Sequence, residues 1–297
     1  MLSQLWYSGL SASGLVSLTR RLRRGGVILG YHNVVAAHAE PVPGDPGLHA
    51  SSEEFERQIQ WLRDRCEIVS LREMANRFDT SGNVSGTAAI TFDDGYAGAL
   101  QIAWPILREL DIPATVFVVA RAPGNLPGFW WDHPQVIAAD RSRRHWLVDM
   151  RGDQEEIVPE GNPLSLPRSL RPASWERLRA AVHEGLDIGC HSASHRTLIR
   201  LDDDDLRDEI EGSREIIREH LRVTPEWFSY PFGAWDSRVR DAVRHAGYRG
   251  AVTLDCGLNT RATDRWSLRR INIPASIPLP AFDAWSAGLQ LSATAVY

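Results

Sequence analysis

The chain has 297 residues, 43% hydrophobic and 24% charged, with a formal net charge of −5. That length suits one large α/β domain, and the composition excludes wholesale disorder, a collagen-like repeat and a polytopic membrane protein. The acidic balance argues against a general nucleic-acid binder, and because all 33 basic residues are arginine, every lysine nucleophile or Schiff base is removed.

The N-terminal stretch up to Arg24 carries Arg20, Arg21, Arg23 and Arg24 after its apolar residues rather than before them. That order is wrong for a signal peptide, and the run is too short and polar to span a bilayer. It reads as one amphipathic helix over 1–24, packed on the domain or lying on a membrane surface. The packed version is favoured, with peripheral membrane association as the alternative.

Val27–His32 is a short apolar run with a polar end, as a buried strand would be. Residues 36–50 read as a loop. Ser51 then caps a helix with Glu53 and Glu54 in its first turn. Strands follow at 88–92 and 113–119, with a helix between them reaching Leu110. Residues 121–173 show weak periodicity and the cluster Phe129-Trp130-Trp131, and read as an insertion or lid. A helix capped by Ser174, a strand at 186–191 and a long charged helix from about Asp202 to His220 come next. Strand-like segments at 227–230, 250–254 and 270–273 finish the pattern, with a helix from Ser237 to His245. Alternating strands and helices imply βαβ units and a mainly parallel sheet. Polar residues recur at strand C-terminal ends (His32, Asp93, Asp94, His191), the rim where a parallel barrel carries its active site. The expectation is one domain over 25–297, preceded by the N-terminal helix.

Three cysteines (Cys66, Cys190, Cys256) are too few and too scattered for a disulfide framework or a cysteine zinc site. Eleven tryptophans suit either an aromatic core or a cleft of flat rings for sugar faces.

Thr91-Phe92-Asp93-Asp94-Gly95 puts adjacent carboxylates at a strand end. In extended chain they diverge, so one can bind a metal while the other faces the reacting centre. The same residues also read as an Asp-Asp-Gly turn capping the next helix. His191 and His195 sit at i and i+4, a spacing that brings two imidazoles together on one helical turn, as in zinc helices. The alternative is one capping and one surface histidine. With Asp94 they make a two-histidine, one-carboxylate set with room for water. Tyr230-Pro231-Phe232-Gly233 is a turn, or a place where the Phe232 N–H meets a developing oxyanion. Trp130 and Trp131 are lid core or a sugar-stacking platform.

Together these motifs resemble the polysaccharide deacetylases of carbohydrate esterase family 4, the NodB-homology group. The first family motif matches residues 91–95 in full, the second matches His191 to His195, and the third matches only in part. The likeness runs in motif order over roughly residues 25 to 275. It implies a distorted (β/α) barrel, acting on N-acetylated sugars or, in some members, O-acetyl esters. It implies one divalent metal, usually zinc, on Asp94, His191 and His195. Asp93 would be the base that deprotonates the attacking water, and the Phe232 N–H an oxyanion donor. Tyr230, Trp130 and Trp131 would meet substrate. The family arginine that supports the base corresponds to Ser229, so either the base lacks that partner or Arg269 or Arg270 reaches it from another strand. No late Leu-x-His motif occurs, which resembles the branch that deacetylates poly-N-acetylglucosamine. There a Tyr-His on an N-terminal strand supplies the acid, a role that falls to His32. Two other readings remain: an amidase or esterase on a small molecule or glycolipid, and a non-catalytic carbohydrate binder. The N-terminal pattern favours the cytoplasm or the cytoplasmic membrane face; oligomeric state is not legible.

Overall fold

The computed structural model describes residues 2–37, 44–80, 82–132 and 166–290. Its centre is an eight-stranded parallel sheet. In chain order the strands are β1 (Val27–Tyr31), β4 (Glu67–Ile68), β5 (Thr87–Phe92), β6 (Ala114–Val118), β7 (Asp187–Cys190), β8 (Trp227–Ser229), β9 (Gly250–Val252) and β10 (Ile271–Asn272). Their spatial order is β10-β1-β5-β6-β7-β8-β9, with β4 beside the start of β5. Two further short strands, β2 (Asn33–Val35) and β3 (His49–Ser51), pair in parallel outside this sheet; β3 starts inside the stretch 36–50 that reads as loop.

The sheet curls into a distorted barrel, and residues 268–272 form its seam. Leu268 bridges Val252 of β9, while Ile271 and Asn272 pair with Leu29 and Gly30 of β1. Alternation along each strand then assigns side chains to two faces. Ile28, Ala89, Phe117, Trp227 and Val252 pack inside the barrel with Met74 and Phe78 from below. Leu29, Ile90, Phe92, Val116, Ile188, Cys190 and Phe228 face outward into the larger core beneath the helices.

The helices cover that outer face. They are α1 (Leu2–Ala12), α2 (Leu15–Leu22), α3 (Ser52–Arg63), α4 (Leu71–Asp79), α5 (Trp104–Glu109), α6 (Trp175–His183), α7 (Asp203–Arg207), α8 (Ser213–Leu221), α9 (Ser237–His245) and α10 (Leu279–Ser286). Ser51 and Ser174 cap α3 and α6 through their side chains as expected. The expected helix reaching Leu110 and the long helix from Asp202 each contain a wider π-turn, at Ala99–Ala103 and Asp208–Gly212. The N-terminal stretch is two helices rather than one, broken at Gly14. They pack on α10, where Trp285 Nε1 donates to the Tyr7 hydroxyl at 2.9 Å and Ser11 Oγ donates to Asp283 at 3.0 Å. Among the described residues no helix is long and apolar enough to cross a membrane. Of the expected insertion, residues 133–165 lie outside the described residues.

Among the described glycines Gly98 has the tightest surroundings. A Cβ there would overlap the Val34 carbonyl oxygen and the Asn33 amide oxygen, with the Ser169 carbonyl 3.1 Å away. This contact seats the helix after β5 against β2. Gly98→Ala is expected to cost about 1–3 kcal/mol through overpacking, read as a lowered urea midpoint with an unchanged slope.

Candidate active site

Parity along the strands builds the site. Asp93 continues the inward row Ala89, Thr91 at the end of β5; His191 continues the inward row of β7, and His32 that of β1. The next residue, Asp94, would point outward in extended chain. It adopts the left-handed region instead (φ 69), which turns its carboxylate back to the mouth.

Arg270 rises from the seam into the barrel and is fully buried. Its Nη1 and Nη2 donate to the two Asp93 oxygens at 2.8 and 2.6 Å, its Nη2 also donates to Ser229 Oγ at 2.9 Å, and its Nε donates to the Thr253 carbonyl at 2.9 Å. Ser229 Oγ in turn donates to Asp93 at 3.3 Å. Ser229 thus leaves open the space a side chain at its position would fill, and Arg270 takes it from another strand. Burial alone would push the Asp93 carboxyl up; the Arg270 guanidinium, then His191, overcome this and hold it well below the usual carboxylate range.

Asp94, His191 and His195 place one ligand atom each within 4.8 Å of one another. Both His Nε2 atoms approach the same Asp94 oxygen, at 3.5 and 3.6 Å. Those gaps are too long for hydrogen bonds. They match the edge of a tetrahedral shell of bonds near 2 Å, about 3.4 Å. His191 Nδ1 lies 2.8 Å from the Ser229 carbonyl. A carbonyl only accepts, so Nδ1 carries the proton and Nε2 keeps its lone pair, the orientation a metal-binding imidazole needs. Burial, followed by the Asp93 and Asp132 charges, drives the Asp94 carboxyl well up. Burial lowers both imidazoles, His195 further through His191. Neutral imidazoles are the form that binds a cation, and a cation would offset the penalty on the Asp94 carboxylate, so the three residues fit a divalent metal.

The two histidines do not share a helical turn. Residues 191–195 are a loop with Ser192 and His195 in the left-handed region (both φ 62), and the rings meet edge-on at 4.8 Å. Glu209, from the π-turn, holds this loop by accepting from the Ala193 and Ser194 N–H groups at 3.0 and 2.9 Å. The N–H groups of His191, Ala193, Ser194 and His195 all find acceptors without helix.

The other expected residues divide. His32 is partly exposed. Burial pushes its imidazole down to about 4, against Asp93 and with the help of Arg270. Phe232 stands edge-on to His195, ring centroids 4.5 Å apart, with its backbone left-handed at φ 58. The Trp131 ring lies 4.6 Å from His195, and Trp130 packs edge-on to Trp131 at 5.4 Å. Tyr230 is not in the mouth. It follows Ser229 on the outward row, fully buried, and its hydroxyl donates to the Trp266 carbonyl at 2.7 Å.

A second buried polar chain went unread in the sequence. Trp131 Nε1 donates to the Tyr96 hydroxyl at 2.7 Å, which donates to Asp132 at 2.6 Å. Asp132 also accepts from His49 Nε2 at 3.0 Å, and Asn33 Nδ2 donates to His49 Nδ1 at 3.1 Å. No local spacing links residues 33, 49, 96 and 132.

The family model for polysaccharide deacetylases matches residues 81–251, more than half of the chain. The chain belongs to the polysaccharide deacetylase family. The Bacillus subtilis (strain 168) protein YxkH, described as a polysaccharide deacetylase, is 22% identical over 260 residues, covering 87% of this chain and 75% of that protein. The fold is shared with IcaB from Ammonifex degensii (TM-score 0.65, 20% identity, 90% of this chain and 98% of that one). It is shared equally with the Streptococcus pyogenes deacetylase PplD in complex with acetate (TM-score 0.63, 18% identity, 90% and 98%). A de-N-acetylase from Aggregatibacter actinomycetemcomitans gives a TM-score of 0.63 at 18% identity over 88% of this chain and 99% of that one.

Removing the guanidinium should expose how much this deacetylase depends on it. Arg270→Met leaves Asp93 buried without its partner, at a cost of about 3–5 kcal/mol near neutral pH. A carboxyl depressed in the folded state stabilises above its unfolded pKa of about 4 and loses that contribution as pH falls. The gap between wild type and variant in urea melts should therefore narrow on acidification.

Proposed function

We propose that this polysaccharide deacetylase is a metal-dependent hydrolase that removes acetyl groups from N-acetylated sugars, as polymer, oligomer or lipid-linked glycan. One observation carries the reading: two adjacent buried carboxylates are tuned apart, Asp93 kept ionised by Arg270 and Asp94 set between two imidazoles. Divergent environments for paired titratable groups mark separate chemical roles.

Asp94, His191 and His195 would hold the ion, and two imidazoles with one carboxylate favour zinc with an open position. When bound it supplies Lewis acidity towards the amide carbonyl and lowers the pKa of water. Asp93 is the base that takes the proton of the attacking water. Arg270 is its positioning residue, fixing both oxygens and preventing protonation at rest. His32 is the acid for the leaving nitrogen. Its lowered pKa keeps it neutral at rest, so the proton it gives is received during the reaction. Asp93, within electrostatic reach, has just taken one. The Phe232 ring packs on His195, which supports its N–H as the oxyanion donor. Trp131 and Trp130 offer aromatic surface at the mouth for a sugar ring. A fold shared with a protein named a de-N-acetylase is in keeping with N-acetyl substrates.

Metal-reconstituted protein should release acetate from short N-acetylglucosamine oligomers, and chelation should stop it. Asp93→Asn should retain metal by elemental analysis and lose turnover by about a hundredfold or more. Full activity in that variant would move the base elsewhere; absence of release by wild type with metal bound would reject the substrate class. His32→Ala should slow amide hydrolysis far more than hydrolysis of an activated ester, whose leaving group needs no proton. Equal slowing would make His32 structural.

A further inference from the structure

Helix α2 is inverted for a helix in water. Its inner face carries Val16, 1% exposed, together with Arg20, and Arg23 directly past its end is 6% exposed. Arg20 pairs with Asp283 of α10, and Arg23 Nη2 donates to the Thr87 carbonyl at 3.0 Å. Its outer face carries Leu15, Leu18 and Leu22 at i, i+3 and i+7, exposed by 50, 52 and 67%. Trp6 of α1 adds a fourth exposed apolar side chain at 57%. Among the described residues one further large apolar side chain is exposed, Ile199, at 40%. An amphipathic surface helix normally buries such a stripe, and clustered exposed apolar residues mark a binding face.

The charge around the stripe selects the partner. The first 26 residues hold four arginines and no carboxylate, in a chain of net charge −5. Arg21 and Arg24 are exposed and meet no carboxylate among the described residues. Beside α2 a cavity of about 460 Å³ is lined by Arg20, Arg21, Arg23 and Arg65. Arg23 is buried there with its Nε unpaired among the described residues. Leucines flanked by arginines complement acyl chains beneath anionic phosphates. A second copy docking on the same face would set arginine against arginine, which disfavours a symmetric dimer through this patch.

We propose that the outer face of α1 and α2 docks on an anionic phospholipid bilayer, with Leu15, Leu18, Leu22 and Trp6 entering the acyl boundary. Arg21, Arg24 and the arginine-lined cavity take lipid phosphates. The inner face stays on α10 and the start of β5. Since β5 carries Asp93 and Asp94 at its other end, about 20 Å along the strand from Thr87, docking holds the catalytic mouth clear of the head groups. This inference does not depend on the proposed reaction.

Flotation of the full chain with two vesicle types tests it: pure phosphatidylcholine, and equal parts phosphatidylcholine and phosphatidylglycerol. Wild type should float with the anionic vesicles only, and high salt should weaken this. Leu18→Ser with Leu22→Ser should abolish flotation while thermal melting stays unchanged, because both side chains are already in water. Arg21→Ser with Arg24→Ser should weaken binding roughly thirtyfold, at about one kcal/mol per arginine. Failure of wild type to float, or flotation equal in the leucine variant, overturns the proposal. So does a lipid-free dimer in sedimentation velocity that the leucine variant dissolves, which would make a second copy the occupant.

Discussion

The pairing of Arg270 with Asp93 is the constraint on which the molecule turns. Arg270 belongs to the segment that bridges β9 to β1, so the same residues close the barrel and deliver the guanidinium to its mouth. A buried ion pair gives little net stability, because desolvation of two charges offsets their attraction. Its value lies elsewhere. It fixes one carboxylate in geometry and protonation beside a second carboxylate whose environment does the opposite. It also explains Ser229: a small hydroxyl there accepts one Nη2 hydrogen and donates to the same Asp93 oxygen that Nη2 holds, where a longer side chain would compete for the same space.

Backbone strain collects at the same rim. Among the described residues six non-glycine residues have left-handed backbones, and Asp94, Ser192, His195 and Phe232 are four of them. Each such conformation costs on the order of 1 kcal/mol or more. The surroundings hold them in place. Ser192 Oγ accepts from the His195 N–H at 2.9 Å, Glu209 grips the two residues between, and the Ala120 N–H reaches the Ser192 carbonyl at 3.0 Å. The strain turns side chains that strand alternation would send outward, or a helix would line up, towards one point.

Around this point the chain from Trp131 through Tyr96 and Asp132 to His49 and Asn33 ties the entry of the insertion to β2 and β3. Asn33 also stands against Gly98, so the packing that seats the helix after β5 and the polar chain beside the Asp94, His191 and His195 group share one residue. At the far end of β5, α2 turns its arginines inward and its leucines outward. The catalytic rim and the apolar stripe are thus the two ends of one strand, each departing from the usual burial pattern for a different reason.

The sequence by itself determined the parallel α/β architecture, since alternating apolar runs and capped helices allow little else. It determined Asp93, Asp94, His191 and His195 as a group, because few motifs place such residues at successive strand ends. Inward parity also made Ser229 and His32 site residues and sent Tyr230 to the core, a consequence readable from period two once the strand ends are known. Other features needed the tertiary structure. Which arginine reaches Asp93 depends on closure of the barrel between β9 and β1. The loop at 191–195 depends on Glu209, fourteen residues beyond His195. The His49–Asp132 contact joins residues 83 apart in the chain. Such pairings are set by where strands and turns meet in space. Local spacing carries no trace of them, because hydrogen bonds and charges act across distance in space and not along the chain.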